Sequence, residues 1–475
     1  MKRFLGNISF VVLLNLLVKP GWVVVENMVQ NRVGHANYGL FAALLNLALI
    51  TAVVADLGLA QHTTKRIAIT PDYLTEYFPT VLPLKAVLSG LFLVATVATG
   101  ALLGYQGHTL TLLALIASVV LLTQFTGFLR GALQGYQRFN TDAVLSVLDK
   151  GLAMLLVLGA LGVGTALTLS GYVLIRLAAA LFTFVVLYAL LARLYGRVRY
   201  RPRLAHARLV LRESLPLAFI ALLYGLNERV DGLMLERLVS AKEAGYYAGA
   251  YRWVDAVMMY LWTILPLFFA KFAHAIARRD EQRTLLWFGQ RIVTVPLLLI
   301  CAFVLFRGEV LFWQFTRSTP AELLRMTWCV KLLFLNVLVH AFFAIYSTLL
   351  TSTGHERPVS WLVAGSIVLN IGLNLLLLPR YGALAAAADT LLCAVFISGG
   401  YVWLVARRAR LAVPWATLAR LLLAFGLLCA VWWGLRWWLH TWWLEAGLAG
   451  VMYVGILFLT GNVRVAELRQ LLQRK

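Results

Sequence analysis

Charge is scarce in this chain, and negative charge most of all. Of 475 residues only 20 are Asp or Glu, against 42 Lys or Arg, and the charged types together make up 13%. A soluble domain carries about 25% charged and roughly 45–50% apolar residues, so a chain that is 61% hydrophobic is not a soluble globular fold. Cysteine is equally sparse. Cys301, Cys329, Cys393 and Cys429 fall at unrelated spacings inside apolar runs and support neither a disulfide framework nor a metal site. The sequence has no GxxxxGK(S/T) phosphate loop, which argues against ATP hydrolysis, and no HExxH or paired metal-ligand motif. Its longest hydrophilic stretch, Arg193–Arg212, is too short to house a catalytic domain.

Apolar runs of about 20 residues, the length a helix needs to cross a bilayer, recur almost from end to end. They predict an all-α, polytopic membrane protein with about fourteen spans, at 5–29, 39–61, 79–103, 109–129, 143–164, 168–192, 213–236, 244–270, 285–306, 322–350, 358–378, 382–405, 417–439 and 443–461. Met-Lys-Arg before the first run has the look of a signal peptide. The run continues through Lys19 and Glu26 without a small-residue cleavage site, so it is kept as the first span.

The net charge of +22 could indicate nucleic acid, but Lys and Arg accumulate in cytoplasmic loops of membrane proteins for reasons of insertion. With the N-terminus cytoplasmic, every second loop is basic, and the bias is roughly three to one. This places both termini in the cytoplasm and leaves nucleic acid without support. The tryptophans at 432, 433, 437, 438, 442 and 443 then lie on the outer side as an interfacial belt, and Val463–Lys475 reads as an amphipathic tail on the cytoplasmic surface.

Two short echoes suggest a duplication. "NYGLFAALL" (Asn37–Leu45) resembles "AGYYAGAYR" (Ala244–Arg252), aligning Gly39 with Gly245 and Ala42 with Ala248; "LQGYQRF" (Leu133–Phe139) pairs with "TSTGHERPV" (Thr351–Val359), aligning Gly135 with Gly354. The organisation expected is a six-helix bundle over 1–192, a basic cytoplasmic linker over 193–212, a second bundle over 213–405, two appended helices over 406–461 and a tail over 462–475. Repeated membrane halves commonly form transporters that alternate access around a site between them.

The stretch Val33–Ala68, with Tyr38-Gly39, "DLGL" at 56–59 and the basic pair Lys65-Arg66, resembles the start of the polysaccharide-biosynthesis flippases of the multidrug/oligosaccharidyl-lipid/polysaccharide exporter superfamily. Leu349–Leu392, with Asn370, Asn374 and "PRYGALAAAADT", has the same look. The resemblance implies two six-helix bundles facing a central cavity. It also implies movement of an undecaprenyl-diphosphate-linked oligosaccharide from the cytoplasmic to the outer leaflet of a bacterial inner membrane. The product would pass to a polysaccharide polymerase and its chain-length machinery.

Under that reading the charges inside the first span acquire a role. At 100° per residue Asn15, Lys19, Glu26 and Gln30 share an arc of roughly 60°. Such a stripe belongs against a wet cavity, where Lys19 could hold a diphosphate and Glu26 could exchange a proton, or else it is a buried pair that locks the helix to its neighbours. Pro20 and Gly21 predict a kink there. Lys85 and Arg176, with Asn15, Lys19 and Glu26, complete the expected substrate-binding set, while Asp149 and Lys150 are either part of it or an interfacial pair. In the seventh span "YGLNERVDGLMLER" puts Tyr224, Asn227 and Asp231 at helical spacing. Asp231 matches an acidic position that the resembled family often shows, making it the second candidate after Glu26 for ion coupling. Glu228, Arg229, Arg252 and Asp255 are gating candidates.

No cofactor is expected, and a proton or sodium gradient is the natural energy source. The competing readings are a peptidoglycan lipid-precursor flippase, a multidrug or cation antiporter of the same superfamily, and an integral-membrane polymerase or ligase. Short external loops weigh against the last, so the chain is not read as an enzyme.

Overall fold

The structure is a computed structural model that describes residues 18, 20–60, 63, 67, 78–136, 138–164, 166–195, 204–276, 278–439 and 441–463. Among these, fourteen helices follow one another and there is no strand. They are α1 (20–33), α2 (His35–Thr51, continued by the single turn Val53–Asp56), α3 (Phe78–Leu102), α4 (Gly107–Gly135), α5 (Phe139–Gly162), α6 (Leu169–Tyr195) and α7 (Leu204–Leu238). Then come α8 (Ala241–His274), α9 (Arg279–Arg307), α10 (Pro320–Ser352), α11 (Glu356–Tyr381), α12 (Ala383–Leu404), α13 (Trp415–Trp438) and α14 (Trp442–Leu459). Twelve are long and apolar enough to cross a membrane; α1, described only from residue 20, and α7 are the other two.

Most expected spans lie within a few residues of these helices. The exceptions share a physical cause. α7 begins nine residues before the expected 213, and α4 runs six beyond 129, because polar residues such as Arg208, Arg212, Arg130 and Gln134 continue a helix that hydropathy alone cuts off. Part of the expected linker is therefore helix. The expected loop between the first two spans shrinks to Gly34, whose φ of 89° turns α1 into α2 in one residue. Helix α1 continues without interruption from Pro20 to Val33, and Lys19, next to the expected kink, lies outside the described residues.

Two compact units divide within α8, at 1–248 and 249–475. Packing therefore assigns α7 and the first turns of α8 to the first unit, whereas the repeat begins a new half at 213. In the first unit Phe41, Leu44 and Leu47 of α2 pack with Val120 of α4 and Val173 of α6; a second cluster joins Phe78, Phe128, Leu145 and Leu187.

The two echoed loops end their helices alike, with a bond that also closes α3, α7 and α14. Arg138 N donates to Leu133 O at 2.8 Å after α4, and His355 N to Leu350 O at 2.9 Å after α10, so the same helix-ending bond recurs. It pairs Leu133 with Leu350. The register is thus two residues away from the expected Gly135–Gly354 alignment, since Gly135 still lies in α4 while Gly354 is in the left-handed turn after α10.

In the second unit α13 and α14 fasten onto α9. Leu298 and Ala302 pack with Leu421, Leu428, Trp432 and Tyr453, while the fully buried Glu445 accepts from both Nε and Nη2 of Arg307. Tyr453 donates to Val295 O at 2.7 Å, and Asn462 to Arg420 O at 3.1 Å. Tyr453→Phe is expected to cost about 1 kcal/mol, the net value of one hydrogen bond, read as a lower thermal midpoint of the purified protein. Trp432 is buried against Phe303 and Phe306, so it belongs to the core; Trp433, Trp437, Trp438, Trp442 and Trp443 are exposed, as an interfacial belt requires. All four cysteines are free. The expected amphipathic tail lies beyond the described residues.

Candidate functional site

In the first unit α1, α2 and α6 converge on a single guanidinium. Trp22 and Glu26 are one turn apart on α1, and Tyr172 and Arg176 one turn apart on α6, so each helix presents an aromatic ring and a charge on one face. Arg176 Nη1 lies 3.7 Å from Glu26 Oε1, and the Tyr172 hydroxyl donates to that same oxygen at 3.1 Å. The guanidinium carbon is 5.6 Å from the ring of Trp22, 5.6 Å from Phe41 and 5.9 Å from Tyr172. Three π faces and one carboxylate compensate a charge that would otherwise be costly inside a bilayer. A fifth of the Arg176 side chain, 20%, remains exposed. A planar guanidinium of this kind matches two phosphate oxygens at once.

The rest of the expected polar stripe divides. Asn15 and Lys19 lie outside the described residues. Gln30 is fully buried and taken up by packing: its amide nitrogen donates to Gly245 O at 2.7 Å and lies 2.9 Å from His35 Nδ1.

Lys85 neither snorkels nor opens to a cavity. Its side chain is 0% exposed, and Nζ lies 2.8 Å from Asp56 Oδ1 and 5.7 Å from the Phe128 ring. Asp56 ends α2, where Leu57 (φ 42°) and Gly58 (φ 79°) turn left-handed and Ala60 N donates back to Oδ2 at 3.4 Å. The "DLGL" element is thus a helix terminator that also neutralises a buried lysine. Nothing in the local sequence signals this partner, 29 positions away.

Asp149 and Lys150 line a cavity of about 400 Å³ between α4, α5 and α6, together with Thr123, Ser146 and Thr183. Arg130 closes on Asp142 there through Nε at 2.6 Å and Nη2 at 3.2 Å, and Gln134 adds a third bond at 3.0 Å. The charge count along the sequence places Arg130 in a loop, which conceals this pair. In the backbone register of the repeat, the positions matching Arg130 and Asp142 in the second half are Ser347 and Val359, so the cavity's ion pair belongs to one half alone.

On α7, Asp231 is 2% exposed and accepts the Tyr247 hydroxyl at 3.2 Å. Glu228 and Arg229 are 4.0 Å apart and more open, and the side chain of Tyr224 is not among those described. Arg252 is buried and Asp255 half-buried one turn on. At the end of α7 Tyr105 donates to Glu236 at 2.5 Å, while Arg237 caps the Leu103 carbonyl and lies 4.7 Å from the Tyr105 ring. Burial and then the bond to Glu236 push the Tyr105 hydroxyl well above its ordinary range, so it stays a donor and the α3–α4 turn stays clamped.

The first sequence echo meets itself. A Cβ on Gly39 would overlap the carbonyl of Ala241 and the amide of Gly245, and a Cβ on Gly245 would overlap the carbonyl of His35. Each glycine faces the residue four before the other, the pattern of a two-fold contact between equivalent helix starts. A fully buried acid on α12, Asp389, is also absent from the expected set; it lies 3.5 Å from Cys393 Sγ, inside the "PRYGALAAAADT" stretch.

This fold has solved counterparts. Lipid II flippase MurJ in an inward closed conformation superposes with a TM-score of 0.74 at 11% identity, covering 95% of this chain and 99% of that one. An inward-facing multidrug resistance MATE family transporter of the MOP superfamily gives 0.66 at 15% identity, over 84% and 96%. A MOP superfamily transporter from Pyrococcus furiosus gives 0.51 at 14%, over 84% and 91%. At these identities the likeness is one of fold. No curated protein sequence matches the chain significantly. The model of the family described as polysaccharide biosynthesis protein, however, matches residues 4–269, more than half of the sequence. The chain therefore belongs to the polysaccharide biosynthesis protein family, and its fold is like that of the MurJ and MATE structures.

Proposed function

We propose that this protein is a flippase that carries an undecaprenyl-diphosphate-linked oligosaccharide from the cytoplasmic to the outer leaflet of a bacterial inner membrane. The reading is supported by the family and, within the first unit, by one observation above others: the aromatic-caged Arg176. A guanidinium held by π faces and a single carboxylate is a charge kept ready to exchange partners, and a diphosphate is the anion that outcompetes a carboxylate by charge and by bidentate geometry. Lys19, seven residues before Glu26 in the sequence, would supply a second cation. Both termini are cytoplasmic in this reading, which follows the basic bias of the loops.

Transport proceeds by alternating access. Glu26 and Asp231 are the carboxylates available to a proton or sodium gradient. When the headgroup engages Arg176, the Arg176–Glu26 pair opens while Tyr172 still donates to Glu26. Membrane polymerase and chain-length machinery consume the product.

Proteoliposomes loaded with undecaprenyl-diphosphate oligosaccharide test this. Arg176→Gln is expected to slow translocation at least tenfold, since a charged hydrogen bond is worth about 1.5–3 kcal/mol. Glu26→Gln keeps an acceptor for Tyr172 and is expected to remove the response to an imposed gradient. Wild-type rates and wild-type coupling in both variants would refute the assignment. Vesicles carrying the peptidoglycan precursor instead separate the nearest rival, because the two substrates share the lipid diphosphate and differ in the group attached to it.

A further inference from the structure

The second unit carries a basic pocket that the transport reading leaves unused. A cavity of about 680 Å³, within the roughly 300–1,000 Å³ of small-ligand sites, is lined by Arg279 at the start of α9, by Gly354–Pro358 leading into α11, and by Arg407, Arg408 and Arg410. Its charge is unbalanced. Glu356 is the one acidic residue of the lining, and none of Arg279, Arg357, Arg407, Arg408 and Arg410 has a carboxylate within ion-pair distance among the described residues. The nearby Glu281 is engaged by Arg278 at 2.9 Å.

The backbone that presents these arginines is unusual. After α12 the chain widens into a π-turn, Val405–Ala409, and Arg410 follows in the left-handed region with φ 53° and ψ 39°. Glycine adopts that conformation freely, whereas an arginine held there is a local strain of the kind that collects at functional sites. The N-cap of α11, His355, makes no side-chain cap bond, so the first N–H groups of a 26-residue helix add to the positive potential.

We propose that this pocket binds a phosphate headgroup bearing at least two negative charges, presented by a membrane-embedded lipid. Guanidinium forks match phosphate oxygens two at a time, and several of them on one rim suit a diphosphate or a pair of phosphates better than a monoanion. The ligand is either an anionic phospholipid of the surrounding leaflet or the diphosphate of an isoprenyl carrier. The site stands independently of what the protein transports, since a phospholipid would fill it in either case.

Full-length protein in detergent, titrated with cardiolipin and separately with phosphatidylcholine, provides the test, with a soluble short-chain isoprenyl diphosphate as competitor. Cardiolipin is expected to bind in preference to phosphatidylcholine. Arg407→Gln with Arg408→Gln is expected to weaken it about tenfold, the loss of one charged hydrogen bond, while Arg380→Gln, at the other end of α11, leaves it unchanged. Arg410→Gly guards against misfolding, because glycine suits that backbone: it should match or exceed the wild-type thermal midpoint and still bind less. Displacement of cardiolipin by the isoprenyl diphosphate assigns the site to the carrier, and lack of displacement assigns it to the phospholipid. Equal affinity in wild type and both arginine variants, or equal binding of phosphatidylcholine, overturns the proposal.

Discussion

Alanine at Gly39 is expected to destabilise the protein by about 3 kcal/mol, and alanine at Gly245 by a similar amount. Overpacking ordinarily costs about 1–3 kcal/mol, because neighbouring side chains can change rotamer. Here the obstacle is backbone: the new methyl group meets the carbonyl of Ala241 in one case and of His35 in the other, and a helix must retreat to admit it. The retreat would also break the Gln30 bond to Gly245 O, 2.7 Å in the intact contact. Gly90→Ala and Gly127→Ala serve as controls, since a Cβ at either position meets nothing within 4 Å. Those two should gain up to about 1 kcal/mol from helix propensity. Thermal midpoints of the four variants decide the matter; equal effects at Gly39 and Gly90 would show that the helices do not touch there.

The second large effect concerns Lys85. Asp56→Asn would strand a lysine whose side chain is 0% exposed, and breaking such a pair costs about 3–5 kcal/mol. Replacing both partners removes the charge that needs compensation, so Asp56→Asn with Lys85→Met is expected to recover most of the loss. Recovery separates a structural pair from a substrate-binding lysine. If transport also returns in the double variant, Lys85 leaves the expected binding set; if stability returns while transport stays below a tenth of wild type, its charge is needed for more than folding.

The helices were legible in the sequence because apolar runs of membrane length have few other physical readings, and the fourteen observed helices follow them. Their polar extensions were not, since hydropathy stops where α7 and α4 leave the apolar layer. Charge partners were hidden for a different reason. Glu26 and Arg176 are 150 positions apart, yet each lies seven residues from a helix end, Val33 and Leu169 respectively, so matching buried charges by depth would have joined them. Asp56 yields less readily: it stands at its helix end and Lys85 lies two turns into α3. The rings that cage Arg176 carry no sequence mark at all, because Trp22 and Phe41 look like any other apolar residue of a membrane helix. The glycine echo marked the right positions, Gly39 and Gly245, while only coordinates could reveal that the two echoes pack on one another.

The most direct test of the central claim is the leaflet distribution of undecaprenyl-diphosphate-linked oligosaccharide in cells depleted of this protein and of any other flippase able to replace it. Cells would be complemented with wild type or Arg176→Gln at matched membrane levels. The proposed function predicts accumulation in the cytoplasmic leaflet on depletion, relieved by wild type and not by the variant. An unchanged distribution on depletion would contradict it.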